Sequence, residues 1–314
     1  MTEPPLPVTV LVTTRDEEAN IGRTLAAVHG RVDQVFVLDS ESSDRTVEIA
    51  RPYADRVVDL AYEHGRIIPW IFQWGLDHLP IRNDWVLILE ADQAVTPELA
   101  AELAELFRGG PEAVGPDGFY IRRKQIFRGQ WIRWGGYGNK YLLKLFRRAK
   151  GQLDPLEQDT RVYVDGPVAK LRAPLEEWNR KEDSILFYLG KHLRYAEAFA
   201  QEELERRRGA VPFRTEPRLL GTPDQRVLWL KRAYYRSPLY LRPFAYFLYR
   251  YVLRLGLLDG KRGFVFHFLQ AFWFRLVVDV RLEELLGRSE TGPETGPDTA
   301  PDAEGGRAIG DAEP

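Results

Sequence analysis

The chain has 314 residues, a formal net charge of −2 at pH 7 and no cysteine. It therefore has no disulfide framework, thiolate nucleophile or cysteine-ligated zinc site, and its near-neutral charge argues against a nucleic-acid binder. No basic segment followed by an apolar one opens the sequence, so we expect no signal peptide. The length is enough for one α/β domain with an appendage.

The first third of the chain alternates apolar runs with amphipathic segments. The predicted elements, in chain order, are a strand at Val8–Val12, a helix at Asn20–Val28, a strand at Val35–Leu38, a helix at Arg45–Tyr53, a strand at Val57–Leu60, a helix over 67–79 and a strand at Val86–Leu89. Continuous β-branched runs are typical of strands buried on both faces. Their alternation with helices predicts a mostly parallel sheet covered on both sides.

Polar residues follow three of these strands. Arg15 and Asp39 come after the first and second strands, and Glu90 and Asp92 come after the strand at Val86–Leu89. The carboxyl ends of parallel strands meet at one rim, where α/β proteins bind ligands. Two carboxylates there suit a hard divalent cation that shares its ligands with substrate phosphates. The alternative is a polar loop before the helix that Thr96-Pro97-Glu98 opens.

Five segments together resemble the family 2 glycosyltransferases of the GT-A fold. They are TTRDEEANI (13–21), VLDSESSDRT (37–46), DWVLILEADQAV (84–95), RGQWIRWGGYGNKYLLKLFRRAKG (128–151) and VDGPVAKL (164–171). They follow the family's order across about residues 7–200, and the chain is most similar to the branch of bacterial lipopolysaccharide-core β-glucosyltransferases. The resemblance implies an α/β GT-A domain over 7–221, after a flexible N-terminus at 1–6.

The resemblance places a nucleotide site at the first two strand ends. It implies that Asp39 accepts hydrogen bonds from a nucleobase imide or a ribose hydroxyl; the alternative is an Asx turn or helix cap. Thr14, Arg15 and Glu17 stand where the family lines the nucleoside pocket. The family commonly has Tyr-Asn-Glu at 15–17, so Arg15 can stack on a base or reach a phosphate, or it can be a solvated loop charge.

The resemblance also implies a metal site for Mn²⁺ or Mg²⁺. Asp92 matches the second carboxylate of the family's Asp-x-Asp, which binds a divalent cation on the donor diphosphate. Glu90 stands where the family usually has aspartate. Its longer side chain can reach the sugar, the metal or a metal-bound water, or the change can signal an altered or lost metal site.

The catalytic base is expected just before Val164-Asp165-Gly166. An inverting transferase needs a carboxylate that takes the proton from the acceptor hydroxyl. Related enzymes have a His-Glu pair here, and this chain has Asp159 and Thr160. A threonine is no base near neutral pH, so we predict Asp159 as the base, with Glu157 in reserve. The alternative is a polar loop with incidental acids.

An aromatic and glycine-rich cluster precedes the predicted strand at Tyr141–Phe146. Trp131 and Tyr137 flank the pair Gly135-Gly136. Aromatic faces stack on sugar rings, and glycines let the backbone approach a ligand closely. We predict that these four residues face the acceptor, with a core role as the alternative for the aromatic side chains.

The last third of the chain is predicted to be helical and then disordered. Residues 222–288 hold twelve basic and five acidic residues among many aromatics. Basic, aromatic-rich helices are typical of interfacial membrane anchors, and charge in each window of about twenty residues argues against a spanning helix. The alternative is a helical hairpin packed on the catalytic domain. Residues 289–314 are rich in Gly, Pro, Thr, Ala, Asp and Glu and should form a disordered acidic tail.

These features predict an inverting, metal-dependent glycosyltransferase. We expect it to move a hexosyl group from a nucleotide-diphosphate sugar to a glycan or lipid-linked acceptor, in bacterial cell-surface polysaccharide or lipopolysaccharide assembly, on the cytoplasmic face of the membrane. Glu90 and the missing His-Glu pair leave open a catalytically altered GT-A protein that binds nucleotide sugars or acts as a scaffold. A nucleotidyltransferase would need a glycine-rich loop after the first strand, and residues 13–20 contain no glycine.

Overall fold

The computed structural model describes residues 4–61, 68–153, 160–209 and 216–291 of the protein. Its strands are β1 (Leu6–Thr14), β2 (Val32–Asp39), β3 (Arg56–Asp59), β4 (Trp85–Glu90), β5 (Gln93–Val95), β6 (Gly118–Phe127), β7 (Gln130–Trp131), β8 (Tyr141–Arg147), β9 (Gly151–Leu153), β10 (Val162–Val164) and β11 (Val168–Glu177). Its α-helices are α1 (Ile21–Ala26), α2 (Thr46–Ala50), α3 (Ile68–His78), α4 (Pro97–Leu106), α5 (Ile185–Arg207), α6 (Pro223–Arg236), α7 (Leu241–Leu248), α8 (Gly260–His267) and α9 (Phe274–Thr291). The strands and helices predicted before residue 90 are confirmed, with ends shifted by a few residues.

A nine-stranded sheet in the order β3-β2-β1-β4-β8-β6-β11-β5, with β7 beside β6, organises the described residues. The four strands of the first third are parallel to one another. The antiparallel strand β8 joins them to β6, which runs parallel to β11. A separate pair is formed by β9 and β10. The predicted parallel sheet with helices on both faces is therefore confirmed for the N-terminal half.

The strands β1, β2 and β4 are buried on both faces, as their continuous apolar runs predicted. In β1, Val10 and Val12 pack with Ile21 and Leu25 of α1 on one side of the sheet. Leu11 points to the other side, where it packs with α3. The strand register pairs Thr14 with Asp39 and Thr13 with Glu90, so these three strands end together. The sheet thereby brings the polar residues that follow them to one rim.

The helix α4 begins where the sequence predicted. The hydroxyl of Thr96 accepts a hydrogen bond from the Leu99 amide at 3.2 Å, and Pro97 occupies the first helical turn. An N-cap hydroxyl and an N-terminal proline are the usual signals for a helix start. The cap holds the short strand β5 and the Asp92 loop against the body of the sheet.

The C-terminal helices pack on α5, which the sequence analysis did not identify. The small residues Ala196 and Ala200 of α5 contact Phe274, Val278 and Leu282 of α9 in one buried cluster. A buried ion network reinforces this packing: Arg242 contacts Glu203 at 2.7 Å and Asp279 at 2.6 Å. Residues 222–287 therefore form helices that pack on the rest of the protein.

The helical stretch Gly256–Gly287 is, among the described residues, the one that is long and apolar enough to cross a membrane. The recurring charge in each window of about twenty residues had argued against a spanning helix. The most apolar 18-residue window of this stretch nevertheless holds at most two charged residues. Length and composition alone are weak evidence for a transmembrane helix, and 39% of that window is buried inside the protein. Its buried Asp279 is also paired with Arg242.

Candidate active site

The loops after β1 and β2 are joined at the rim by hydrogen bonds. The Asp16 amide donates to the Ser42 hydroxyl at 2.8 Å, and the Glu17 amide donates to the Thr46 hydroxyl at 2.7 Å. Asp16 adopts a φ of 50°, which turns the loop sharply and leaves Arg15 exposed. The hydrogen bonds therefore join the two loops into one wall of the rim, and Arg15 is exposed beside it.

Two other predicted nucleoside-site residues are held inside this wall. Glu17 accepts hydrogen bonds from Asn20 and from Lys181, both at 2.6 Å. Thr14 is buried, and its hydroxyl has no hydrogen-bond partner in the described part of the chain. A buried hydroxyl without a partner is costly and uncommon. At the rim, the Thr14 hydroxyl is therefore without a hydrogen-bond partner among the described residues, whereas the Glu17 carboxylate is paired.

Asp39 caps its own loop and also lines a cleft. Its carboxylate accepts hydrogen bonds from the amide and the hydroxyl of Ser42. The side chain is 2% exposed, and it lines a cleft of about 400 Å³ together with Arg51 and Asp59. Burial raises the pKa of Asp39, and the bonds from Ser42 oppose that shift. The turn-capping alternative is thus realised, and Asp39 also lines the cleft.

Asp92 is held by its backbone, and its carboxylate lies in an acidic environment. Its carbonyl accepts hydrogen bonds from Arg23 at 2.6 Å and from the Trp178 amide at 3.0 Å. Burial raises the pKa of Asp92 well above its usual range, Glu177 and Glu90 raise it further, and Lys191 opposes them. An ionised carboxylate in such surroundings is stabilised by a cation.

Glu90 does not stand free beside Asp92. Its Oε1 lies 3.2 Å from the Nζ of Lys144, whose side chain is 1% exposed in the middle of β8. Its carboxylate thus neutralises a buried ammonium, and its role as a metal ligand stays a prediction. The longer side chain that departs from the family's aspartate is what reaches this lysine.

The residues fit a divalent cation held mainly by Asp92. Among the described residues, no group of three or more histidines or carboxylates is arranged to hold a metal. A cation here would take one protein carboxylate and draw its remaining ligands from diphosphate oxygens and water, as Mg²⁺ commonly does. The acidic surroundings of Asp92 supply the electrostatic reason for it to bind.

Three further charged or polar residues support this site, and sequence reasoning missed them. Glu177, at the end of β11, contacts Arg123 at 3.0 Å and accepts a hydrogen bond from Gln93 at 2.9 Å. The Oε1 of Gln93 in turn accepts a hydrogen bond from the Glu90 amide at 3.2 Å. Burial is the largest single influence and acts to raise the pKa of Glu177, but Arg123, Lys140 and the hydrogen bond from Gln93 together lower the pKa below its usual value. The end of β11 thereby fixes the loop that carries Asp92.

The four residues predicted to face the acceptor separate in the structure. Tyr137 is 8% exposed and packs against Phe127 and Phe266, so it takes the core role. Trp131 is half-buried, with the guanidinium of Arg133 4.3 Å from its ring centre. Of the two aromatic residues, Trp131 alone keeps a partly open face.

The glycine pair serves the C-terminal helices. Gly135 has a φ of +66°, and a Cβ at this position would lie 2.1 Å from Cε1 of His267. Gly136 has a φ of +88°. Only glycine adopts such angles readily and admits so close a neighbour. The expectation that these glycines admit a sugar is therefore corrected for Gly135, whose missing side chain makes room for His267.

The predicted catalytic bases Asp159 and Glu157 lie outside the described residues. On either side of them, β9 ends at Leu153 and β10 begins at Val162, and these two strands pair with each other. Their role stays a prediction.

Comparison with known proteins gives a family match in the N-terminal part of the chain. The model of the glycosyl transferase family 2 matches residues 9–159. An uncharacterized glycosyltransferase of Rickettsia typhi is 32% identical over 103 residues, which are 32% of this chain and 32% of the relative. A TPR repeat-containing protein of Synechococcus elongatus is 30% identical over 131 residues, covering 39% of this chain and 28% of that protein. The chain thus spans about a third of the length of the curated relatives that it matches.

Two solved structures align with most of this chain at low sequence identity. A mannosyltransferase from Pyrobaculum calidifontis, in complex with GDP-Man and Mn²⁺, is 17% identical, with a TM-score of 0.47 and coverage of 89% of this chain and 87% of that one. S. aureus TarS 1-349 is 13% identical, with a TM-score of 0.42 and coverage of 89% and 91%. The family 2 model thus matches just under half of this chain, and the sheet described above is that of the GT-A fold.

Proposed function

We propose that the protein transfers a hexosyl group from a nucleotide-diphosphate sugar to a hydroxyl of a glycan or lipid-linked acceptor, with inversion at the anomeric carbon. One observation carries the proposal: the Asp39 carboxylate and the acidic environment of Asp92 share one rim of the sheet, at the carboxyl ends of β2 and β4. The first suits a nucleoside and the second suits a diphosphate with its cation, so the rim matches the two ends of such a donor.

Each end of the donor would meet residues of this chain. The Asp39 carboxylate would accept hydrogen bonds from the base or ribose, and the exposed Arg15 would contact a phosphate. Asp92 would hold the divalent cation. When bound, that cation stabilises the negative charge on the departing nucleoside diphosphate.

The transfer itself requires a base from the segment before Val164. The base takes the proton of the acceptor hydroxyl while that oxygen attacks the anomeric carbon, and the bond from this carbon to the diphosphate oxygen breaks. We assign the base to Asp159, with Glu157 as the reserve. Either carboxylate would enter from the chain between β9 and β10.

The acceptor assignment rests on the resemblance and on composition. The motifs resemble the lipopolysaccharide-core branch, and the C-terminal region is cationic and aromatic. We therefore propose a role in cell-surface polysaccharide or lipopolysaccharide assembly, at the cytoplasmic face of the membrane.

A second function is favoured by the Glu90–Lys144 pair. Two carboxylates were expected to bind the metal, Glu90 and Asp92. Because Glu90 is paired with Lys144, Asp92 is the one that remains for the metal. A protein of this kind could bind a nucleotide sugar without turning it over, as part of a glycan-assembly complex.

Hydrolysis of nucleotide sugars in the presence of Mn²⁺ separates these two functions. The wild type should release nucleoside diphosphate, and Asp92→Asn should abolish the release, while Arg82→Gln on the far side of the domain serves as the control. Asp159→Asn should lower transfer to acceptor by about a hundredfold or more, the usual size of a lost general base, with donor affinity kept. Metal-dependent donor binding without any turnover would favour the scaffold, and full activity in EDTA would overturn the metal assignment.

A further inference from the structure

A helical hairpin at residues 241–268, here called the apolar hairpin, exposes large apolar side chains. It consists of α7, a π-helical turn at Tyr249–Leu253, a 3-10 turn at Gly256–Asp259 and α8. The exposed side chains include Leu241, Phe244, Val252, Leu253, Leu255 and Leu258. Single exposed apolar residues need no explanation, but a contiguous set indicates an interaction surface.

The exposed set lies outside an aromatic interior that is already complete. Phe247 stacks on Tyr251 at 5.3 Å, and Tyr251 meets the edge of Phe264 at 5.6 Å. The two arms of the hairpin are thus held together by rings between them. The outward leucines are not needed to close the hairpin: Leu253 is 73% exposed and Leu258 is 53% exposed.

The charges around the apolar hairpin have one sign. Arg254, Lys261 and Arg262 are exposed beside its tip. Within residues 241–268 the one acidic residue is Asp259, which is buried and accepts hydrogen bonds from the amides of Arg133 and Trp134, both at 3.0 Å. An apolar surface rimmed by cations matches an anionic lipid headgroup layer.

The same contacts connect the hairpin to the loop that carries Trp131. Besides the two bonds to Asp259, the Gly135 amide donates to the Arg254 carbonyl at 2.9 Å, and Gln130 donates to the Asp259 carbonyl at 2.7 Å. A partner bound at the tip therefore sits directly beside residues 130–137.

We propose that the apolar hairpin inserts its tip into the headgroup region of an anionic bilayer and holds the 130–137 loop at that surface. A bilayer suits the tip better than a second copy of this chain, because a symmetric contact would bring the same cations together. Insertion rather than spanning follows from the buried pairing of Arg242 with Asp279 at the base of the hairpin. The surface does not depend on the donor chemistry.

Sedimentation with vesicles of phosphatidylcholine, with and without phosphatidylglycerol, tests the proposal on the full-length protein. Point variants are preferable to removal of the helices, because α9 covers the apolar face of α5. Leu253→Asp with Leu258→Asp should weaken binding to the anionic vesicles by about tenfold or more. The matched control is Leu186→Asp with Leu220→Asp, two leucines that are at least as exposed and lie outside the hairpin. It should bind as the wild type does.

The cations are tested by Lys261→Glu with Arg262→Glu. This variant should lose about tenfold on anionic vesicles at low salt and should lose most of the salt dependence, because the attraction acts within a Debye length. Arg31→Glu with Arg108→Glu makes the same change in net charge elsewhere and should bind normally. Thermal unfolding of each variant checks that it is folded.

Three results would overturn the proposal. The first is that the wild type does not bind anionic vesicles, and the second is that the Leu253 and Leu258 variant binds them fully. The third is that each control variant loses as much vesicle binding as the hairpin variant that it matches. Loss of a wild-type dimer in the leucine variant, seen by analytical ultracentrifugation without vesicle binding, would assign the surface to a second copy. Asp92→Asn should sediment with vesicles as the wild type does. Failure of the proposed donor site can therefore be distinguished from failure of the proposed membrane surface.

Discussion

The pair formed by Glu90 and Lys144 predicts an asymmetric loss of stability. Lys144 is 1% exposed, whereas Glu90 is 29% exposed and can regain water. Glu90→Leu leaves an ammonium buried, with Glu177 as a weaker neighbour, and should cost about 3 kcal/mol, the lower end of the range for a broken buried pair. Lys144→Met leaves a carboxylate that solvent reaches, and should cost about 1 kcal/mol.

The two single variants and the double variant form a cycle that measures the pair. The double variant should be more stable than the sum of the single losses implies, because no unpaired charge remains buried. The measurement is urea unfolding at neutral pH. The exposed pair Arg218 and Glu216, at 2.6 Å, is the control, and its coupling should stay below about 1 kcal/mol. Equal and additive losses from Glu90→Leu and Lys144→Met would refute the reasoning.

Three other predictions concern stability. Because the pKa of Asp92 is raised in the folded protein, the wild type loses stability as pH rises from the unfolded pKa, about 4, through the folded pKa. Asp92→Asn should therefore be more stable than the wild type at pH 7.5 and equal to it near pH 4. Urea unfolding across pH checks this, and a less stable variant at pH 7.5 would contradict it. Arg242→Met strands two buried carboxylates and should cost about 3 to 5 kcal/mol in chemical unfolding, whereas Arg281→Met, from a more exposed pair, should cost about 1 kcal/mol or less; similar losses would refute the burial argument. Gly135→Ala should lose about 1 to 2 kcal/mol from its left-handed backbone and more from contact with His267, and adding His267→Ala should restore the second part; no recovery of the melting temperature would argue against that contact.

The rim was predictable because local patterns determine it. Continuous apolar runs identified β1, β2 and β4, and the rule that parallel strands end together brought Arg15, Asp39 and Asp92 to one edge. The alternation of strands and helices also indicated the fold before any packing was known.

The partners of Glu90 and Asp92 were not predictable in the same way. Lys144 and Glu177 lie far along the chain from β4, on β8 and β11, and only the strand order brings them near. One signal was present, since Lys144 interrupts the apolar run Leu142–Phe146 and a charge inside a buried strand requires a partner. The partner itself required the antiparallel pairing of β4 with β8.

Composition overstated the charge available in the C-terminal region. The count of twelve cations treated all of them alike. The structure buries Arg242 in an ion network and pairs Lys231 with Glu202, while Arg254 and Lys261 stay exposed at the apolar hairpin. The exposed subset depends on helix packing that periodicity does not encode.

The central claim is that a donor diphosphate and its cation bind across the rim from Asp39 to Asp92. The most direct measurement is anomalous diffraction at the manganese edge from crystals soaked with Mn²⁺ and UDP or GDP. We predict one manganese peak within ligating distance of the Asp92 carboxylate and of diphosphate oxygens, with Glu90 still bonded to Lys144 and the nucleoside in the cleft beside Asp39. A nucleotide bound away from Asp39, or manganese bound away from Asp92, would contradict the claim.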